Sequence, residues 1–200
     1  MEQLIQILSW IAAALQVPVV VAILYLLVRG LLAAGGYYGR WSDRVRRRRR
    51  IGVDRNGHLP EADIDTLIEA LDVGRGADQP LQRAVAALRQ APADAAWHER
   101  VITEFELNSD RQLALYRTMT RIGPLLGLMG TLIPLGPALV GLAAGDISLL
   151  ARKMEVAFAT TVVGLVIGAI GFLLHQSAGR WALDDLSLLE FLSSKLRDKP

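Results

Sequence analysis

Residues 127–168 read GLMGTLIPLGPALVGLAAGDISLLARKMEVAFATTVVGLVIG. No charged residue lies from 122 to 144 or from 156 to 174. A helix needs about 20 mostly apolar residues to cross a ~30 Å hydrocarbon core, so each run is long enough to span a membrane. Between them GDISLLARK reads as the short loop of a hairpin. Within these runs stand Thr131, Thr160 and Thr161, with Glu155 at the edge of the second. Lipid penalises such groups, and many glycines are spaced among them.

Outward from this hairpin, a third uncharged run separates Glu2 from Arg29. The span is expected over roughly 11–32, with Pro18 near one end and Trp10, Tyr37, Tyr38 and Trp41 as interfacial anchors. None of the three runs keeps the polar face of a helix buried in a soluble protein. The fold class that follows is an all-α membrane protein with three transmembrane helices. The first run lacks the basic start and the cleavage pattern of a signal peptide. The absence of cysteine excludes disulfides and thiolate metal sites.

The net charge of +2 hides a strong local asymmetry. WSDRVRRRRRIGVDR follows the first span and carries Arg44, Arg46, Arg47, Arg48, Arg49, Arg50 and Arg55. Basic flanks stay in the cytoplasm. The expected topology therefore has the N-terminus outside, a large cytoplasmic insert between spans one and two, and a cytoplasmic C-terminus. Arg152 and Lys153 oppose the rule but are outnumbered. Beside a span, the arginine run reads as a topology signal and a contact for anionic lipid in preference to a nucleic-acid patch.

Four segments are expected: an outside tip with span one (1–40), a cytoplasmic helical segment (41–118), spans two and three (119–176), and a C-terminal cytoplasmic helix (177–200). In the insert, 52–59 reads as loop. EADIDTLIEALD sets Ile64, Leu67, Ile68 and Leu71 on one helical face. PLQRAVAALRQ is a second amphipathic helix with Leu81, Val85 and Leu88 inward. A longer helix after Pro92 runs into span two. Past span three, an amphipathic helix places Leu183, Leu186, Leu189 and Leu192 on or near one face.

In span two, Gly123, Gly127 and Thr131 recur every four residues; in span three, Thr160, Gly164 and Gly168 do the same. Each set is a narrow stripe that permits close helix approach. Packing alone accounts for such stripes if each threonine hydroxyl bonds back to its own helix. A polar path along the stripes is the alternative. Glu155 reads either as an interfacial residue paired with Arg152 or as part of that path, on a face neighbouring Thr160. No catalytic arrangement competes, so no enzyme and no cofactor is expected. His58, His98 and His175 are far apart, without the spacing of zinc ligands. GLMGT has no following lysine to make a phosphate loop, and Ser148 has no base.

PLLGLMGT followed by EVAFATTVVGL resembles the MotA/TolQ/ExbB proton-channel family, closest to its ExbB/TolQ-like branch. That branch carries PxxGLxGT in the second membrane helix and E-A-x-x-A-T-x-x-G-L in the third. The resemblance is specific over 121–171 and extends elsewhere only to layout. It implies a homo-pentamer, a ring around a dimer of a single-span ExbD/TolR/MotB-like partner. Spans two and three would line the pore opposite an aspartate of the partner. By motif match Thr131 and Thr160 are the pore threonines, with Glu155 and Thr161 beside them, while Gly123, Gly127, Gly130, Gly164 and Gly168 pack the helices. The implied function is proton flow that drives mechanical work or transport at the cell envelope, from an inner-membrane complex. A scaffold without ion conduction and a sodium-driven member of the family are the alternatives. Pro134 and Pro137 depart from the branch pattern and are expected to kink span two. Only three spans and a reduced cytoplasmic part argue against a flagellar stator.

Overall fold

The computed structural model describes residues 2–51 and 79–197. Among the described residues there are four helices: α1 (Glu2–Ile51), α2 (Gln79–Gln90), α3 (Ala95–Ala143) and α4 (Ile147–Arg197). Among the described residues there is no strand. Three of the helices, α1, α3 and α4, are long and apolar enough to cross a membrane. The expected loop at 52–59 and helix at 61–72 lie outside the described residues.

The ends of these helices follow from local chemistry. Asp94, just after Pro92, caps α3: its Oδ1 accepts the amides of Ala96 and Trp97 at 3.0 and 3.1 Å. α3 then stays helical through Pro124, Pro134 and Pro137, although each proline removes one ladder bond. It closes at Gly145, whose φ of 81° is the only positive one among the described residues. There Asp146 N–H bonds to Gly141 C=O at 2.8 Å and Gly145 N–H to Leu142 C=O at 3.0 Å, the Schellman pattern.

Asp146 also begins α4. Its Oδ1 accepts the Leu149 amide at 2.9 Å and the Ser148 hydroxyl at 2.7 Å. These bonds, the Leu149 amide first, hold its carboxyl below the ordinary value. One residue pair thus stops one helix and starts the next. The connection is three residues, Ala144 to Asp146, and not the nine of GDISLLARK. Arg152 and Lys153 belong to the first turns of α4.

The described residues divide into two compact units: 2–33 with 115–175, and 34–51 and 79–114 with 176–197. In the first, Val19 and Ile23 of α1 meet Met119 of α3 and Ile167 of α4, flanked by Leu26, Leu126, Ile133, Val163 and Ile170. Its outward residues are apolar as well: Leu24, Leu125, Leu128, Leu132, Val162 and Leu165 are all more than half exposed. An apolar exterior around a thin interior suits lipid as the solvent.

In the second unit, Leu81, Val85 and Leu88 of α2 are buried, as the sequence leads one to expect. They pack on Val101 and Phe105 of α3 and on Leu189 and Leu192 of α4. Leu183, expected on the same face, is 68% exposed. Asp185 and Ser193 hold buried positions instead, because 100° per residue carries Leu183 past the edge of the buried stripe. Two buried polar groups pin this core. His98 Nδ1 lies 2.9 Å from Ser193 Oγ and its Nε2 lies 3.2 Å from Leu88 C=O. Arg44 is held 2.8 Å from Asp185 and 3.5 Å from Asp184, donates to Trp181 C=O at 3.2 Å, and lies over a Trp181 ring stacked on Tyr37. Arg44 was grouped above with the topology-setting arginines, but it is 6% exposed and works as an internal ion pair.

Candidate functional site

The seam between α3 and α4 is packed backbone against backbone. A methyl group added at Gly164 would stand 2.7 Å from both Gly123 C=O and Gly127 Cα. One added at Gly123 would meet Gly168 N and Gly164 C=O at 2.9 Å. Gly127 faces Gly164 Cα and the backbone at Thr160 and Thr161, Gly168 receives the ring of Pro124, and Gly130 receives the Thr160 side chain. The two stripes read from sequence are therefore the two sides of one joint. Gly123, Gly127 and Gly164 let backbone touch backbone, and Gly130 and Gly168 admit a side chain of the facing helix; such close approach is how helices gain contact energy in lipid. Gly141 continues the joint towards the hairpin against Leu149.

The threonines mark the joint's middle. Thr160 is 9% exposed, pressed on Gly130, and its hydroxyl is shared between Val156 C=O at 3.0 Å and Ala157 C=O at 2.9 Å. Thr131 donates to Leu128 C=O at 2.7 Å. Thr161 Oγ1 lies 3.2 Å from Ala157 C=O and 3.5 Å, across the seam, from Gly127 C=O. All three protons have helix carbonyls to go to, and each hydroxyl oxygen keeps acceptor capacity.

The register brings Thr131 and Thr161 together. Gly130 and Thr160 touch, and the next residue on each helix is a threonine. In antiparallel helices, stepping on by one residue turns both side chains to the same side of their seam. Thr131 and Thr161 therefore share one edge at one level, and both are half-buried. The opposite edge, marked by Ile133 and Val163, packs on α1. Thr160 lies between the edges.

Glu155 is elsewhere. Five residues on a helix turn through 500°, leaving about 140° between Glu155 and Thr160. Thr160 points into the seam while Glu155 is exposed, so the neighbouring-face geometry expected above does not hold. Nor, among the described residues, does Glu155 form the ion pair with Arg152 that the interfacial reading offered. Spacing gave a signal for Thr161: in T-x-x-G-L, counted back from Gly164-Leu165, the threonine position falls on Thr161. Counted forward from Glu155, it falls on Thr160. The side chains of Arg46 to Arg50 lie outside the described residues, on a stretch of α1 whose backbone is helical.

A helical chain with three long apolar helices, an apolar exterior and a glycine-locked pair of spans is a multi-pass membrane protein. The chain belongs to the MotA/TolQ/ExbB proton channel family, whose sequence profile it matches over residues 76–186. The match takes in the second amphipathic helix and the start of the C-terminal segment as well as both motif-bearing spans. Proton-channel-type membrane function follows from that membership, and the family is not one of enzymes. Its members work in oligomeric complexes with single-span ExbD/TolR/MotB-like partners. No curated protein and no solved structure matches the chain.

Proposed function

We propose that this chain is the stator-like, proton-channel subunit of an inner-membrane energy-transducing complex. Copies form a homo-pentamer around a dimeric single-span partner that carries an intramembrane aspartate. Spans two and three line the pore, and α1 stands outside them. The N-terminus lies outside the cell. Residues 41–118 and 177–200 lie in the cytoplasm, with the arginine run of α1 at the lipid headgroups.

The observation that carries this reading is the edge shared by Thr131 and Thr161. It is the polar side of the α3–α4 seam, away from α1, in spans otherwise free of charge. A carboxyl group in lipid is kept neutral by desolvation. A pair of hydroxyls at one level can accept from the protonated acid and, on rotating, donate to its ionised form. Being neutral, they do not trap the charge. Thr160 locks the seam behind that edge. Glu155, nearer the hairpin and on a different face, takes part at the outer mouth of the path.

The test is the native mass of the complex, extracted mildly from its own cells by a tag on this chain. A pentamer with two copies of a single-span protein bearing an intramembrane aspartate is expected. A monomer, a dimer, or a ring without such a partner would overturn the proposal and leave a packing scaffold. Flux that follows sodium instead of pH would give the sodium-driven variant.

A further inference from the structure

On α4 the seam stripe does not end with its glycines. Gly164, Gly168 and Gly171 all touch α3 backbone or side chain, and four residues after Gly171 the same stripe reaches His175. It is the first titratable side chain beyond the uncharged run 156–174. Its Nε2 is shut away from solvent with no hydrogen-bond partner among the described residues, while the residue as a whole is half-buried. Buried polar groups in folded proteins nearly always have a partner, so an orphan needs a reason. Arg44 Nε, inside a charge-paired core, is the other such atom among the described residues, whereas both ring nitrogens of the packed His98 have partners.

We infer that His175 is a proton-accepting group of the translocation path, at the end of the seam opposite the hairpin. Its position fits. Fourteen residues separate it from Thr161, which is about 21 Å along the axis and within about 40° of the same face. The facing turn of α3 holds Tyr116, whose carbonyl lies against Gly171 and accepts the Thr120 hydroxyl at 2.9 Å. In the step, Nε2 takes one proton arriving from the threonine level, and Nδ1 gives its own proton to water. Neutral imidazole returns as the other tautomer, so one proton enters and one leaves.

This rests on the proton-channel reading, and the experiment separates the two. The complex is purified from its own cells, placed in vesicles with an entrapped pH dye, and proton uptake is driven by an imposed potential. His175→Gln and His175→Asn are expected to lower the rate about 100-fold, the scale set by a positioned proton-transfer group, with the mass of the complex unchanged. Imidazole added on the side facing His175 should restore uptake in His175→Ala, which a packing role would not allow. Uptake by either amide variant within about twofold of the parent overturns the inference. So does the absence of any imidazole response. If the parent takes up no protons, or Thr131→Val with Thr161→Val leaves uptake unchanged, the proton-channel reading itself fails.

Discussion

Thr160 and Thr161 are neighbours in sequence with different surroundings. Thr160 fills the space opposite Gly130, so Thr160→Val, which keeps the branched shape, is expected to preserve the seam and much of the flux. Thr161→Val removes a hydroxyl from the open edge. Losing one hydrogen bond to a charged group there predicts at least a tenfold drop, about 1.5 kcal/mol, in dye-monitored proton uptake. Equal effects from the two variants would contradict the division of roles. Gly164 is constrained more tightly still. Gly164→Ala puts a carbon 2.7 Å from α3 backbone, a strain of about 1–3 kcal/mol that should lower the thermal midpoint of the solubilised protein. Gly136→Ala, with nothing within 4 Å, should not.

The elements are joined by devices that each act on two helices. Asp146 terminates α3 through the turn and caps α4. Because its carboxyl is held below its ordinary value by the Leu149 amide and the Ser148 hydroxyl, its contribution is present above the unfolded carboxylate value. It is lost as pH falls through the lower folded value. Thermal midpoints on acidification should therefore fall more steeply for the parent than for Asp146→Asn. In the second unit, Arg44 ties α1 to α4. Arg44→Ala leaves Asp185, whose side chain is 12% exposed, without its cation. The expected loss is about 3–5 kcal/mol, read as a lower unfolding midpoint. Replacing both partners by apolar residues of similar volume should recover most of it.

For the whole molecule the decisive property is which side of the membrane each unit occupies. The chain has no cysteine, so single introduced thiols report cleanly. On the topology proposed here, Ser148→Cys reacts with an impermeant reagent applied outside intact cells, and Ser187→Cys reacts only after the membrane is opened. Replacing Arg46 to Arg50 by Gln should make the labelling of both mixed, since these residues supply most of the positive bias. The reverse labelling pattern would overturn the orientation and move the proposed outer mouth to the opposite face.

By itself the sequence determined the solvent of the long helices and the faces on which spans two and three pack closely. Long uncharged runs can be satisfied only as helices in lipid. The four-residue spacing of Gly123, Gly127 and Thr131, and of Thr160, Gly164 and Gly168, marks the faces that meet. Leu81, Val85 and Leu88 declare an amphipathic helix through their period. The motifs PLLGLMGT and EVAFATTVVGL, with Thr131 and Thr160 as the threonines matched, carry the family. Only the tertiary structure decided the rest, because those outcomes depend on register between helices. A one-residue shift turns a side chain by 100° and moves it from joint to edge. That shift separates Thr160 from Thr161; the same rotation within a single helix, already contained in the spacing, takes Glu155 off the face it was expected to share and turns Leu183 outward. Arg44 likewise looked like one more basic residue until Asp185, 141 positions away, closed on it. Sequence spacing fixes faces within a helix; the contact between helices fixes which member of a face does the work.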